Sequence, residues 1–318
     1  MSTIRILALD GGPRGLLMNS ILLRLENERP GLLDSIDIFA GTSAGSISAA
    51  LIAAAATPRE GVKNAIEFWR RWRPFAQSKQ KNSRSWMALA GLSAFMTHAS
   101  IYRNLEEMLG DRRLSDLPRK LLIPSFCLDN EASLRERRQW SVRIYHNLLP
   151  ELLDDDDRVL DICMRSSSIP MVHPVYQGHI DGGLFANNPA LCAVVTALDF
   201  EDTSLPQVEV LSLGQGITST YMPLTRGDVG YGKWLLDKDN PIAIIKVVME
   251  SNMQAINYQC SRLLEDRFIR FDPVLNSDVE PDPKRPFTEY NNRQEFMAAQ
   301  LDLRQVLSRL EAANWPAR

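Results

Sequence analysis

The stretch "IFAGTSAGSISAALIAAAA", from Ile38 to Ala56, decides how this chain is expected to fold. It opens with a short apolar run, reaches a glycine and continues as a series of small residues. A short apolar run that ends at glycine is typical of a buried strand, and small residues allow a helix to lie close against a sheet. We therefore predict a strand, a tight turn and a helix.

The turn contains Gly41-Thr42-Ser43-Ala44-Gly45, a G-x-S-x-G sequence. Between a strand and a helix this pattern is typical of a nucleophile elbow, in which a strained turn exposes the serine hydroxyl. Gly41 and Gly45 have no Cβ and let the turn close, and the helix N-terminus favours a developing alkoxide. The pattern occurs by composition alone in roughly one chain in ten of this length, so a tight turn with an incidental serine stays open.

The flanking sequence predicts the layers around this turn. "IRILALD" before it is a strand-like run, and a helical pattern connects the two strands, giving β-loop-α-β-turn-α within the first 60 residues. This order favours an α/β fold with a mainly parallel sheet. Further strands are predicted in "KLLIPSFCLDN", "WSVRIYHN", "GHIDGG" and "QVEVLSLGQG".

The C-terminal third has a different pattern. Two amphipathic helices with one short strand-like run, "RFIRFDP", between them are predicted after residue 216. We expect the strands of the sheet to run from residue 4 to about residue 214. The predicted organisation is a core over residues 4–216 and a mainly helical extension over residues 217–318, packed on the core.

Composition limits the classes of partner. The 318 residues are 45% hydrophobic and 24% charged, with a net charge of −3, which is ordinary for a globular protein and does not favour a nucleic-acid polymer as partner. The N-terminus has no secretory pattern, and no apolar run is long enough to span a bilayer. These features predict a cytoplasmic location, with membrane contact only at the surface.

A nucleophilic serine needs a group that accepts its proton. No histidine follows position 179, whereas the α/β-hydrolase order places the histidine of its triad last, although His146 and His173 stay open as candidates. Asp181, in "HIDGG", is the other candidate, because a desolvated carboxylate at a strand end can act as a base, and Gly182 and Gly183 leave space beside it. A turn aspartate that caps its own backbone is the alternative.

The loop "LDGGPRGLL", from Leu9 to Leu17, is a candidate anion site. Glycines between a strand and a helix allow backbone N–H groups to face an anion, and Arg14 adds a positive charge. Such donors are needed where a carbonyl oxygen becomes an oxyanion. A phosphate-binding loop is the competing function, but the Walker and dinucleotide spacings are absent; a plain glycine-rich turn also stays open.

Three motifs, "LALDGGPRG", "FAGTSAGS" and "HIDGGLFANNPA", occur in an order that resembles the patatin-like phospholipase family, and "SSSIPMVHPV" and "VLSLGQG" also fit its pattern. The resemblance covers roughly residues 4–216. It implies a three-layer α/β/α fold and a lipid acyl hydrolase of the phospholipase A type, which acts through an acyl-serine intermediate and needs no metal or other cofactor.

The resemblance also implies roles for particular residues. Ser43 and Asp181 would form a Ser-Asp dyad of nucleophile and base, so that no histidine is required. The oxyanion hole would be formed by Gly11, Gly12, Arg14 and Gly15.

One position departs from the family's Asp-Gly-Gly-Gly-x-Arg/Lys-Gly pattern, because the loop here is one residue shorter and contains Pro13, which has no N–H. Loss of one oxyanion donor costs roughly a hundred- to a thousand-fold in rate. A lipid-binding or regulatory protein with a degenerate site is therefore one alternative to the hydrolase. An acyltransferase or thioesterase with the same dyad is the other, because an acyl-serine can react with water or with another acceptor.

A membrane contact or lid is predicted in "KQKNSRSWMALAGLSAFMTH", where basic residues precede an apolar stretch. This arrangement suits an anionic membrane surface or a mobile cover over a lipid site, and a helix that faces the core is the alternative. The contact residues would be Trp86, Met87, Leu89 and Phe95. Some bacterial members of the family are switched on by a nucleotide or a protein partner, but no motif here identifies such a site or an oligomeric state.

Overall fold

The computed structural model describes residues 3–72, 92–149, 156–199, 203–218, 221–222, 227–237, 240–275 and 286–316. Within these ranges one sheet has the strand order β4-β3-β2-β1-β6-β7, and β5 pairs with β3. The strands are β1 (Ile4–Leu9), β2 (Ile38–Gly41), β3 (Lys120–Cys127), β4 (Ser141–His146), β5 (His179–Asp181), β6 (Val208–Leu213) and β7 (Phe268–Phe271).

The helices cover both faces of this sheet. They are α1 (Gly15–Glu28), α2 (Ala44–Ala54), α3 (Pro58–Arg71), α4 (Ala99–Leu109), α5 (Val159–Ser166), α6 (Gly183–Ala186), α7 (Ala190–Ala197), α8 (Tyr231–Leu236), α9 (Ala243–Leu264), α10 (Phe287–Gln300) and α11 (Arg304–Ala312). No helix in the described ranges combines the length and apolar character needed to cross a bilayer.

Side chains of β1 alternate between two hydrophobic cores. Leu7 and Leu9 lie in a core with residues of α1 to α5, whereas Ile6 and Ala8 lie in a second core with residues of α7 and α9. A strand that is buried on both faces is typical of the parallel sheets of α/β proteins. The pairs β1–β2, β1–β6, β2–β3 and β6–β7 are parallel. The three-layer α/β/α fold with a mainly parallel sheet is therefore confirmed.

The sequence predicted that the strands of the sheet end near residue 214, and this prediction was wrong. Strand β7 pairs in parallel with β6, with Val210 opposite Phe268 and Leu213 opposite Phe271. The reason is that β6 would otherwise present an unpaired backbone edge, which proteins usually cover. The segment after residue 216 thus contributes a strand as well as helices, and its division from the core at residue 216 stays a prediction.

Two features of the topology position the site. The chain enters the sheet at β1 and later adds β6 on the opposite side of β1 from β2, and ligands of such sheets bind beyond the carboxyl ends of the strands at this switch point. Strand β4 occupies one edge of β3, so β5 must lie on the other edge, beyond the end of β2. The residues that follow β2 therefore meet the end of β5.

Candidate active site

Ser43 lies on a strained turn between β2 and α2. Its backbone has φ 53° and ψ −120°, in a region that side-chain-bearing residues rarely adopt. A Cβ on Gly41 would come within 2.1 Å of the Gly45 carbonyl oxygen, and a Cβ on Gly45 within 2.1 Å of the Leu9 carbonyl oxygen. Both glycines are therefore required for the turn to pack against the sheet, and the role of this turn as a nucleophile elbow stays a prediction.

The Ser43 hydroxyl donates a hydrogen bond of 2.6 Å to Oδ2 of Asp181. Asp181 is the last residue of β5, and its pairing with Ser125 of β3 brings it to the end of β2. The Ser43 N–H donates to Oγ of Ser166 at 3.0 Å, and this hydroxyl donates to the Pro124 carbonyl at 2.7 Å. The turn and the carboxylate are thus held against the same strand.

Burial dominates the electrostatics of Asp181. The side chain is fully buried, and this desolvation raises its pKa to about 7. Hydrogen bonds from the Ser43 hydroxyl and from the Gly183 N–H, at 2.7 Å, oppose the rise because they stabilise the ionised carboxylate. A Cβ on Gly182 would come within 2.2 Å of the Pro124 carbonyl oxygen. The Asp-Gly-Gly sequence thus allows close packing on β3 and supplies a donor to the carboxylate.

The histidines have other partners. His179 shares hydrogen bonds with the Tyr145 hydroxyl at 3.0 Å and with the Gln177 carbonyl at 2.7 Å. His173 stacks on His98 with 5.9 Å between ring centroids, and burial lowers its pKa to about 4. The Nδ1 atom of His146 accepts a hydrogen bond from the Leu148 N–H at 3.4 Å. Among the described contacts, the hydroxyl of Ser43 reaches a carboxylate and no imidazole.

The glycine loop after β1 lies beside Ser43, since a Cβ on Gly11 would be 3.2 Å from the Ser43 Cβ. The backbone N–H groups of this loop differ in whether the protein already supplies an acceptor for them. The Gly11 N–H donates to the Asn187 carbonyl at 3.0 Å, and the Arg14 N–H donates to Oε1 of Gln215. Gly12, with φ 144°, lines a cavity that adjoins Ser43, and its N–H has no protein acceptor among the described residues.

Gly15 and the Arg14 side chain pack against or bond to other parts of the protein. A Cβ on Gly15 would come within 2.3 Å of the Trp69 ring, so this glycine permits α1 to pack against α3, and it lies outside the cavity wall. The Arg14 guanidinium donates to the carbonyl oxygens of Gln215 at 3.1 Å and Gly216 at 2.9 Å, and to the Thr218 hydroxyl at 3.1 Å. It joins the loops that follow β1 and β6.

Sequence reasoning missed two residues that hold the glycine loop. The Gln215 side chain donates to the Asp10 carbonyl at 2.9 Å. Arg270, on β7, donates to both carboxylate oxygens of Asp10, at 2.9 and 2.5 Å, and to Asp272 at 2.7 Å. Burial raises the pKa of Asp10, and the Arg270 guanidinium opposes that rise. The available signal was an arginine inside the apolar run "FIRF" and a glutamine in "LGQG".

A cavity of about 950 Å³ adjoins Ser43 and the glycine loop. Its size lies in the range of pockets that enclose a small molecule. Apolar side chains from the helical layers form much of its wall, and α9 supplies one side. Representative wall residues are Ile47, Trp69, Ile101, Val172, Met249 and Met253.

The predicted lid or membrane contact is described only in part. Trp86, Met87 and Leu89 lie outside the described residues. Phe95 is 44% exposed, its N–H donates to the Met171 carbonyl at 2.9 Å, and the next residue, Met96, lines the cavity. The end of this segment is therefore next to the cavity, and its role stays a prediction.

The structure thus combines a three-layer α/β/α fold with a strained serine that is hydrogen-bonded to a buried carboxylate. A family model described as Patatin-like phospholipase matches residues 7–194, more than half of the chain, and the chain belongs to this family. The match contains the glycine loop, the elbow and the Asp-Gly-Gly motif.

Several relatives are similar over most of their length. CotR of Bacillus subtilis (strain 168) is 26% identical over 306 residues, which cover 89% of this chain and 91% of the relative. Protein teg of Priestia megaterium is 26% identical, with 89% and 92% covered, and Patatin-like protein 1 of Arabidopsis thaliana is 27% identical, with 87% and 76% covered.

Two solved structures also match. VipD from Legionella pneumophila is 13% identical with a TM-score of 0.42, and the match covers 97% of this chain and 67% of that chain. The type III effector protein ExoU is 12% identical with a TM-score of 0.43, with 98% and 53% covered.

Proposed function

We propose that the protein hydrolyses acyl esters of phospholipids or related lipids, with Ser43 as the nucleophile and Asp181 as the general base. Membership of the patatin-like phospholipase family supports hydrolysis of lipid esters. The observation that carries the residue assignment is the 2.6 Å hydrogen bond between the Ser43 hydroxyl and Asp181, at the wall of an apolar cavity.

In the first step the Ser43 Oγ attacks the ester carbonyl carbon, and its proton passes to Oδ2 of Asp181. The pKa of Asp181 is about 7, and a general base is most effective at a pH near its own pKa, so this carboxylate suits catalysis near neutral pH. The carbonyl oxygen becomes negatively charged in the tetrahedral intermediate. When the C–O bond to the alcohol breaks, the leaving oxygen takes the proton from Asp181, and an acyl ester of Ser43 remains.

In the second step a water molecule transfers a proton to Asp181 and attacks the acyl carbon. The bond to the Ser43 Oγ then breaks, the serine recovers the proton, and the fatty acid leaves. One carboxylate thus serves both half-reactions, since the proton that it accepts in each is returned to the leaving oxygen.

Product analysis tests the proposal. Mixed phospholipid vesicles are incubated with the wild-type protein and with Ser43→Ala, and the lipids are identified by mass spectrometry. We expect free fatty acid and lysophospholipid from the wild type and neither from the variant. Equal product from both proteins would contradict the proposal. Transfer of the acyl group to an added alcohol, without free fatty acid, would favour the acyltransferase.

One observation favours a lipid-binding or regulatory protein instead. Pro13 has no N–H, and the N–H groups of Gly11 and Arg14 are engaged within the protein. A fluorophosphonate probe separates the two functions, because it labels an activated serine. Rapid labelling that is lost in Ser43→Ala supports the hydrolase, whereas no labelling together with retained vesicle binding supports the binding protein.

A further inference from the structure

The glycine loop offers few donors to an oxyanion in the described structure. Gly11 and Arg14 donate to Asn187 and Gln215, and the Ser43 N–H donates to Ser166. Within the loop this leaves the Gly12 amide at the cavity wall. Acyl transfer benefits from preorganised donors, and each is worth roughly a hundred- to a thousand-fold in rate. A donor from outside the loop would make up this deficit.

Asn187 directly follows α6, and its side chain lies between the glycine loop and the Asp-Gly-Gly motif. Its Oδ1 is 2.4 Å from the position that a Cβ on Gly11 would occupy and 2.8 Å from that of a Cβ on Gly183. The Cβ position at Gly11 is 3.2 Å from the Ser43 Cβ, and the Cβ position at Gly183 is 2.9 Å from Oδ1 of Asp181. The absence of two Cβ atoms thus creates the space that the Asn187 amide fills, beside both members of the dyad.

The amide is under-satisfied although Asn187 is only 7% exposed. Its Oδ1 has no hydrogen-bond partner among the described residues, and its Nδ2 has a 3.8 Å contact to Sδ of Met253, a weak acceptor. The neighbouring Asn188 differs, because its Nδ2 donates to Ser212 and Asn257 and its Oδ1 accepts from the Ala190 N–H. Buried polar groups are normally well paired, and here the Nδ2 donor has only a weak sulfur acceptor, so its N–H₂ group can donate to a stronger acceptor on a ligand in the cavity.

The backbone of Asn187 is fixed from both sides. Its carbonyl accepts the Gly11 N–H at 3.0 Å, and its N–H donates to Oδ1 of Asn252 on α9 at 3.0 Å. The Asn252 Nδ2 also donates to the Gly183 carbonyl at 2.7 Å. The side-chain torsion that turns the amide is broad, so the N–H₂ end can turn without movement of this backbone.

We propose that the side-chain amide of Asn187 is a further donor of the oxyanion hole and contacts the ester carbonyl oxygen together with the Gly12 N–H. The assignment rests on the proposed function. It accounts for a loop that lacks one residue and one N–H, because the negative charge is stabilised by a side chain held against that loop.

A substrate pair tests the donor directly. Hydrolysis of 4-nitrophenyl octanoate is compared with its thiono analogue, in which the carbonyl oxygen is replaced by sulfur, a weak hydrogen-bond acceptor. We expect Asn187→Ala and the similarly sized Asn187→Leu to lower kcat/KM for the oxygen ester roughly a hundred-fold and for the thiono ester much less. The preference for the oxygen ester should fall by about tenfold or more.

Controls separate this role from a structural one. Gln254→Ala removes another carboxamide from the wall of the same cavity and should leave the preference unchanged. Equal losses on both esters in the two Asn187 variants, or near-normal rates in both, would overturn the inference while Ser43-dependent hydrolysis stands. Equal rates in wild type and Ser43→Ala would instead overturn the proposed function itself, and the inference with it.

Discussion

At the residue scale, Ser43 and Asp181 each occupy an unfavourable state that the surrounding structure maintains. The positive φ of Ser43 costs of the order of 1–3 kcal/mol for a residue with a side chain. Asp181 is fully buried, which disfavours its charge. The hydrogen bonds from Ser43 and Gly183 stabilise the ionised carboxylate beside the hydroxyl that it is proposed to deprotonate.

The pH dependence of hydrolysis follows from this burial. Asp181 accepts a proton only when ionised, and its pKa is raised from 3.8 to about 7. We expect kcat/KM for 4-nitrophenyl octanoate to fall about tenfold per pH unit well below pH 7 and to level off above it. The measurement is a pH–rate profile, with circular dichroism at each pH to confirm that the fold is intact. A constant rate from about pH 5 to 9 would contradict a buried carboxylate base.

At the scale of elements, the site depends on how strand ends are brought together. Strands β2 and β5 lie one after the other along the same edge of β3, and this places Ser43 against Asp181 although 138 positions separate them in the chain. Helix α2 approaches the sheet closely enough for a Cβ at Gly45 to meet the backbone of β1. The elbow is therefore a packing arrangement as well as a turn.

Gly45→Ala tests this close approach. The added Cβ would lie 2.1 Å from the Leu9 carbonyl oxygen, and a backbone atom of the central strand cannot move cheaply. We expect destabilisation of about 3 kcal/mol or more, measured by urea unfolding, and loss of Ser43 labelling. Gly232→Ala, in α8, is the control, because no described atom lies within 4 Å of its added Cβ. Equal stability of the two variants would show that α2 does not pack this closely.

The link between β7 and the glycine loop makes a second prediction. Arg270→Gln leaves Asp10, which is 1% exposed, without its main cationic partner. Removal of one member of a buried pair typically costs about 3–5 kcal/mol, so the midpoint of urea unfolding should fall clearly. Arg304→Gln breaks the exposed pair with Asp302 and should change the midpoint of urea unfolding little. A midpoint for Arg270→Gln that matches the wild type would contradict a role for this pair.

At the scale of the whole molecule, the segment after residue 216 completes the structure around the site. It supplies β7 to the sheet, and α9 to the cavity wall. Helix α10 reaches the other side of the glycine loop, where the Tyr290 hydroxyl donates to the Pro13 carbonyl at 2.6 Å and Oε1 of Gln294 accepts the Leu17 N–H at 3.1 Å.

A fragment of residues 1–216 tests whether the core predicted from the sequence folds alone. We expect it to be insoluble or to unfold without a cooperative transition, because β6 would become an open edge and Asp10 would lose Arg270. Expression, size-exclusion chromatography and thermal unfolding beside the full chain provide the measurement. A soluble fragment with a sharp transition would show that the core is an independent domain.

The sequence could predict the features that depend on local chemistry. A strand, a glycine-lined turn and a helix of small residues are specified by neighbouring residues, so the strained turn at Ser43 and the α/β/α layers were predictable from Ile38 to Ala56 and its flanks. The partners of the glycine loop were not, because Gln215 and Arg270 are more than 200 positions away from Asp10. Which amides are free depends on such distant contacts, and only the folded chain reveals them.

The central claim is that Asp181 activates Ser43, and the rate of fluorophosphonate labelling at Ser43 tests it most directly. The rate is measured for the wild type and for Asp181→Asn, with the site located by peptide mass spectrometry and thermal unfolding showing that both proteins are folded. General-base catalysis contributes roughly a hundred- to ten-thousand-fold, so we predict that labelling in Asp181→Asn slows by at least about a hundred-fold. Labelling of Ser43 at the wild-type rate in folded Asp181→Asn would contradict the account.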